Sequence, residues 1–428
     1  MAIVYWKGGA AAVAKVVNCT VASTGAIEAT DIFRCTIGNK VLSVVGGSTA
    51  AGTVATNIKT AWNALSATTH PEFAEITAAS TGGASLTLTA DTAGVDFTVT
   101  LTTVETNGNP SDAQTFTQTT TVANAGPNDW STAANWSGGA VPVNTNEVVF
   151  ENSTDGIYYG LDQSAVTLAS LTIKQDFLGT IGLPTTNESG YSEYRDTYLK
   201  IGATVCTIGS GEGSGSGRIK INTGSVQTAL TLLDSGYSLE DGLKSIIWKG
   251  THASNAVAIT KGSLDIAPFA AEVATVLTLK EGYFENIDDD SDVRCGSGVT
   301  LGTVTKNGGQ LTCDNTAAAI TALTQTAGDT TIYGITNAVT ALTIYGGAVH
   351  YNTAGTLTAC TVGAGATLDF RQDMRAKTVS AITAYPGAAI YDPAAVVTWT
   401  TGIDLVGGGL EDYTLQIGKH RTWTPTAI

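Results

Sequence analysis

The sequence predicts a mainly β protein, a right-handed parallel β-solenoid preceded by a small α+β domain with one helix, and three observations carry that expectation. The first is a short repeat. Ile320-Thr-Ala-Leu323, Val339-Thr-Ala-Leu342, Leu357-Thr-Ala-Cys360 and Val379-Ser-Ala-Ile382 each place two apolar residues three apart and a glycine five beyond, at Gly328, Gly347, Gly365 and Gly387. Those glycines are 19, 18 and 22 residues apart, a period that fits one coil of a solenoid whose neighbours must stack to bury a core. The second is chemistry: the repeats are rich in Thr, Val, Ile and Tyr and broken by Gly, which suits a pleated strand and not a helical repeat. The third is composition, with 14% charged residues and 49 glycines, a balance that argues against disorder.

Taken in order, residues 1–105 read as an N-terminal attachment domain. An alternating run at 31–37, the turn Gly38-Asn39 and a return at 40–44 predict a hairpin. Residues 53–65 read as the one helix, with Val54, Ile58, Ala61, Trp62 and Leu65 on one face and Thr53 as N-cap. Strands are expected at 73–78, 85–89 and 97–101. Asn107-Gly-Asn-Pro110 ends the domain and opens a connector, 106–159, with a strand at 115–122 and another at 147–150. Between them Trp130 and Trp136 flank a Gly/Pro-rich loop. They are expected to plug the open end of the solenoid, the alternative being stacking on a glycan. The solenoid itself is placed at 160–402, because Leu168-Ala-Ser-Leu171, Val273-Ala-Thr-Val276 and Gly308-Gly309 continue the pattern upstream. Residues 403–428, ending with Trp423-Thr-Pro425, are left as a cap.

The repeat also fixes a register. Cys295 and Cys313 should stack on adjacent coils, as should Leu323 with Leu342 and Leu342 with Cys360.

The net charge of −16 and the lack of any Lys/Arg cluster disfavour nucleic acid as a partner. No apolar run is long enough for a membrane span, and no secretory signal is expected. The six cysteines stand singly, with four histidines in the chain, and read as buried small hydrophobes, so no metal or cofactor is expected. Gly209 to Gly217 lacks the Lys-Ser/Thr ending of a phosphate loop and reads as a corner. Asp288 to Asp292 lacks the Gly and Glu of a calcium loop and reads as a solvated acidic turn. Glu281 with Glu285, or Asp369 with Asp373, could supply a carboxylate pair for glycan hydrolysis, but outward solubilising charges are the plainer reading, and no enzyme activity is expected.

One segment, 184–200, is too polar and too long for a coil corner. It carries Glu188, Tyr191, Glu193, Tyr194, Arg195 and Tyr198, and Tyr and Arg concentrate in interface anchors. A contact with a neighbouring subunit, a contact with an outside partner and an ordinary surface excursion are all open.

The motif Trp130-x-x-x-x-Asn135-Trp136-Ser-Gly-Gly-x-Val141-Pro142 resembles the opening of β-helical surface proteins. Together with Pro71 to Ala78, Leu86 to Gly94, Tyr159 to Ile173 and Gly211 to Ile221, it makes most of the chain similar to virion proteins of tailed bacteriophages and prophages. That resemblance implies a structural protein on the capsid exterior, assembled in the host cytoplasm, that decorates or reinforces the head through contacts with the major capsid protein. It brings no catalytic residues. A tail spike or receptor-binding protein that recognises, or recognises and cleaves, a host surface glycan is the alternative, and a bacterial adhesin the third. A homotrimer is expected, since three solenoids around an axis protect their open edges.

Overall fold

The fold is described from a computed structural model, covering residues 2–23, 25–106, 113–209, 218–235, 242–282, 291–314 and 320–418. It is a parallel β-solenoid of about 11 turns with a small N-terminal domain that contains one helix.

The small domain packs a four-stranded antiparallel sheet (Ile76–Ser80, Ser85–Ala90, Val16–Ser23, Gln114–Val122 in spatial order) with a three-stranded one (Lys40–Val45, Ile32–Ile37, Thr100–Val104). The expected hairpin pairs Ile37 with Lys40 and Phe33 with Val44. Alternation drives Phe33, Cys35 and Ile37 inward against Val54, Ile58 and Trp62 of the helix. That helix is Ala51–Asn63, and its N-cap is Ala50, so Thr53 lies inside it. No side chain caps the end; instead the Ser48 hydroxyl accepts from the Ala50 amide at 3.1 Å. Two expected strands move by about three residues. Residues 73–75 form turns, with the strand beginning at Ile76, and residues 97–99 belong to no strand. There Phe97 and Val99 stay buried while side chains serve their carbonyls: Lys15 donates to Phe97 at 2.7 Å and Gln118 to Val99 at 2.8 Å. A burial pattern of period two is thus met without a ladder.

Strand membership crosses the boundary expected at 105. Ile3–Tyr5 runs parallel to Glu147–Phe150 and belongs to the solenoid, while Gln114–Val122 pairs with Val16–Ser23 in the small domain. The small domain is therefore held between the solenoid's first strand and its remainder. At that end Trp130 and Trp136 are fully buried, their ring centroids 4.6 Å apart, with Trp6 4.9 Å from Trp136 and Phe150 beneath them. The two tryptophans sit inside the core and offer no face to a glycan.

Beyond the plug, most coils give one strand to each of two parallel sheets. The register is the one the repeat implies: Cys295 pairs with Cys313, Leu323 with Leu342, and Leu342 with Cys360. All six cysteines are free and buried, and burial raises the Cys206 thiol to about 12. The repeat's glycines have a steric cause. Gly328 and Gly347 lie at φ of 77° and 71°, and a Cβ on Gly347 would sit on the carbonyl oxygen of Gly328. The ladder continues past 402, with Ile403–Leu405 on Lys377–Ala384 and Thr414–Ile417 on Ala389–Asp392. Trp423 to Pro425 fall outside the described residues.

One inward column departs from the apolar rule. Ile259, Glu281, Lys306, Gln325 and Ile344 succeed one another through the core. Glu281 is therefore an inward residue, not a solubilising one. Its carboxylate lies 3.1 Å from Lys306, with both side chains fully buried, and accepts from Ser291 at 3.0 Å. Gln325 donates to the carbonyls of Gly328, Gly346 and Ala348 at 2.8 to 3.1 Å and accepts from the buried Thr330 hydroxyl at 2.7 Å.

Candidate functional site

A concavity lies where the small domain meets the first coils, a cleft of about 640 Å³. Its solenoid wall is built by local backbone chemistry. Asn128, in the loop leading to Trp130, accepts the amides of Tyr158 and Tyr159 at 2.9 and 3.1 Å and donates to the Gly156 carbonyl at 2.8 Å. Tyr158 folds back over Gly156 so closely that a Cβ there would collide with the phenol ring. Further along, Lys220 enters from the strand Ile219–Asn222, flanked by the buried Ile219 and Ile221, and Arg218 from the residue just before it. Its ammonium is itself buried and donates to the Leu183 carbonyl at 2.6 Å. The small domain supplies Glu75, Thr92 and Val95.

The third wall is the segment 184–200, and its role is a clasp between the two bodies. Glu188 is exposed and lines the cleft with Arg195. Arg195 is nearly buried: it donates to Glu193 from Nε at 2.8 Å and Nη2 at 2.9 Å, and to the Asp96 carbonyl of the small domain at 3.0 Å. Tyr191 and Ser189 donate to the two carboxylate oxygens of Glu75 at 2.8 and 3.1 Å. Tyr194 packs on the small-domain core beside Gly38, stacked 5.9 Å from Tyr191. Tyr198 is anchored on the solenoid, donating to Glu272 at 3.0 Å beneath the Lys249 ammonium, which lies 4.0 Å from the ring centroid. Of the six residues singled out in the sequence, two therefore face the cleft and four hold its wall in place. Tyr191 and Tyr198 are buried within the chain and so are not surface anchors.

The electrostatics follow from that packing. Burial pushes the hydroxyls of Tyr159, Tyr191, Tyr194 and Tyr198 above their ordinary value, with Glu75 adding to the effect at Tyr191 and Glu272 at Tyr198. All four stay protonated donors near neutral pH. For Glu193 burial acts upward, but the hydrogen bonds and charge of Arg195 outweigh it and hold the carboxyl below its usual range.

The other candidates fare differently. Asp369 and Asp373 are held by Arg371, and by Arg375 with Lys377, at 2.8 to 3.2 Å, and both carboxyls lie below their usual range despite burial. Glu285, Asp288 to Asp290 and the run 210–217 lie outside the described residues. Among the described residues one group of three carboxylates converges: Glu28, Asp31 and Glu105 bring oxygens within 4.8 Å of one another, with Asp31 accepting from the Glu28 amide at 2.8 Å and from Thr106 at 3.3 Å. No helix of the described residues is long and apolar enough to cross a membrane.

Set against protein-family models, curated proteins and solved structures, the chain matches none.

The cleft residues that sequence reasoning missed are Glu75, Tyr158, Arg218 and Lys220. Tyr158-Tyr159 between Gly156 and Gly160 was a visible signal, two adjacent aromatics in a turn. The others had none, because their convergence depends on how the small domain docks.

Proposed function

We propose that the chain is a non-catalytic structural protein of a tailed-phage virion, a stiff solenoid carried by a small attachment domain on the capsid exterior. The observation that supports this reading best is mechanical: a continuous stack of about 11 turns, plugged by tryptophans at one end and clasped to the attachment domain through Arg195, Glu193 and Tyr191. Such a body transmits load along its axis through parallel ladders and has little to gain from mobile side chains. The ion pairs that occupy Asp369 and Asp373 fit a structural use of those carboxylates.

The partners proposed are two further copies of the chain and the major capsid protein. Exposed apolar residues along the later coils, Tyr333, Ile335, Tyr345, Met374 and Tyr385, supply a surface for subunit contact. Sedimentation of the purified chain is expected at three chain masses, and a species of one chain mass both free and on particles overturns the trimer. Counting copies in purified particles by quantitative mass spectrometry tests the reading itself: hundreds per particle support head decoration. A handful supports the second reading, a tail spike or receptor-binding protein, which the cleft favours. Absence from particles overturns both.

A further inference from the structure

We propose that the cleft between the small domain and the first coils is a binding site for a short, neutral oligosaccharide. Its volume of about 640 Å³ lies inside the range of roughly 300 to 1,000 Å³ typical of small-ligand sites. Three features of its lining select the ligand class.

The first is charge. The cleft is lined by Glu75, Glu188, Arg195, Arg218 and Lys220, but Arg195 is neutralised by Glu193 directly behind it. The remaining two cations face two carboxylates, so the site offers no net attraction to a phosphate, sulfate or carboxylate ligand. Two of the three cations are moreover engaged by the protein itself. Nε and both terminal nitrogens of Arg195 already donate to Glu193, Asp96 and Tyr191, and Lys220 donates to Leu183. An anion drawn to Arg195 would have to displace contacts that hold the two bodies together.

The second feature is the aromatic wall. Tyr158 and Tyr159 are adjacent, half-buried and fixed by Asn128 and by the absence of a side chain at Gly156. Arg195 lies over the Tyr159 ring with its guanidinium carbon 5.7 Å from the centroid, which holds that ring in place. Rigid aromatic side chains with a polar tip suit ligands that have both an apolar face and hydroxyls, which is the character of a sugar ring. The third feature is the rim. Thr92, Thr180, Asn187 and Ser189 add hydroxyl and amide groups to the lining, and Glu188 is exposed. Hydroxyl-rich ligands use groups that can both donate and accept, whereas an apolar ligand would desolvate the threonine hydroxyls with no hydrogen bond in return.

This inference rests on the cleft alone and stands whether the protein sits on a head, on a tail or on no virion. The test uses the full chain and a defined panel: maltotetraose, cellotetraose, chitotetraose and mannotetraose as neutral probes, with sialyllactose and a heparin tetrasaccharide as acidic comparators. Saturation-transfer NMR and calorimetry are expected to detect at least one neutral probe at millimolar affinity or better. Thr92→Trp, on the exposed lip of the small domain, is expected to block that binding, and Tyr158→Ala to weaken it at least tenfold. Both variants are checked for an unchanged melting temperature, and Thr92→Trp carries the test if Tyr158→Ala melts early. Binding of acidic probes only, binding unaffected by Thr92→Trp, or no binding by any neutral probe overturns the proposal.

Discussion

Two stretches of the solenoid solve the same packing problem with opposite chemistry. In the coils from 339 to 384 the column described above is Ile344, Val362 and Ala384; in the coils from 274 to 325 the same column is Glu281, Lys306 and Gln325. All six side chains are buried and the ladders on either side continue without interruption. A solenoid coil therefore needs its inward positions filled and satisfied, and apolar chemistry is one way of doing so. The polar way is conditional. An ion pair in the core is tolerated because Lys306 faces Glu281 and both find further oxygen partners, Gly308 for the lysine and Ser291 for the glutamate. Without them the desolvation of either ion would dominate.

Substitutions that exchange the two chemistries break this comparison most severely. Leu342→Asp puts a charge with no counterion between Leu323 and Cys360, and is expected to cost at least about 4 kcal/mol and to open the neighbouring coils. Hydrogen exchange should lose protection first at 320–362 and leave the small domain unchanged. A variant as stable as the parent would mean that this column is not sealed.

Next in size is the ion pair. Lys306→Met removes the countercharge of a buried carboxylate and is expected to cost about 3 to 5 kcal/mol in urea unfolding. The paired change Glu281→Leu with Lys306→Met should recover most of that loss, since a well-filled apolar column replaces the pair. If the double variant is as unstable as the single, the ions hold the coil shape itself and the comparison fails.

Gln325→Leu sharpens the middle of the scale. It fills the space but deprives the Thr330 hydroxyl of its acceptor and three carbonyls of a donor, an expected cost of about 1 to 3 kcal/mol. A companion Thr330→Val should restore part of it, which a double-mutant cycle would measure.

The smallest effect expected is at the clasp, on acidification. The Glu193 carboxyl is held below its unfolded value, so its contribution is complete above that value, near 4.5, and is lost as pH falls through the lower folded one. Limited proteolysis at 184–198 should therefore accelerate as pH falls below 4.5, and Glu193→Gln should abolish the pH dependence without shifting the solenoid's own melting. A pH response that survives Glu193→Gln would assign it to another carboxylate.

These contrasts mark where the sequence was legible. The spacing of Leu323, Leu342 and Cys360 announced their stacking, and the glycines at 328 and 347 announced a corner, because each is a local requirement that recurs with the coil. Glu281 misled for the same reason: a glutamate in a Thr-rich strand reads as solvent-facing, and only its position opposite Ile259 shows it to be inward. The polar segment 184–200 stood out correctly as something other than a corner. That its tyrosines turn inward, to Glu75 and Glu272, was invisible, since those partners lie more than seventy residues away in opposite directions.

By itself the sequence determined the solenoid and, over the clear repeat from 320 to 387, its coil length and register, because a period, a β-branched composition and a positive-φ glycine act within one coil and its neighbour; the earlier coils are longer, as in Leu230 opposite Val257. The tertiary structure alone decided the rest: which polar residues are paired inside the core, that the first strand belongs to the far body, and that a cleft forms at all. Each of these depends on surfaces brought together across long stretches of chain, where the outcome is set by mutual burial and by the partners each charge finds there.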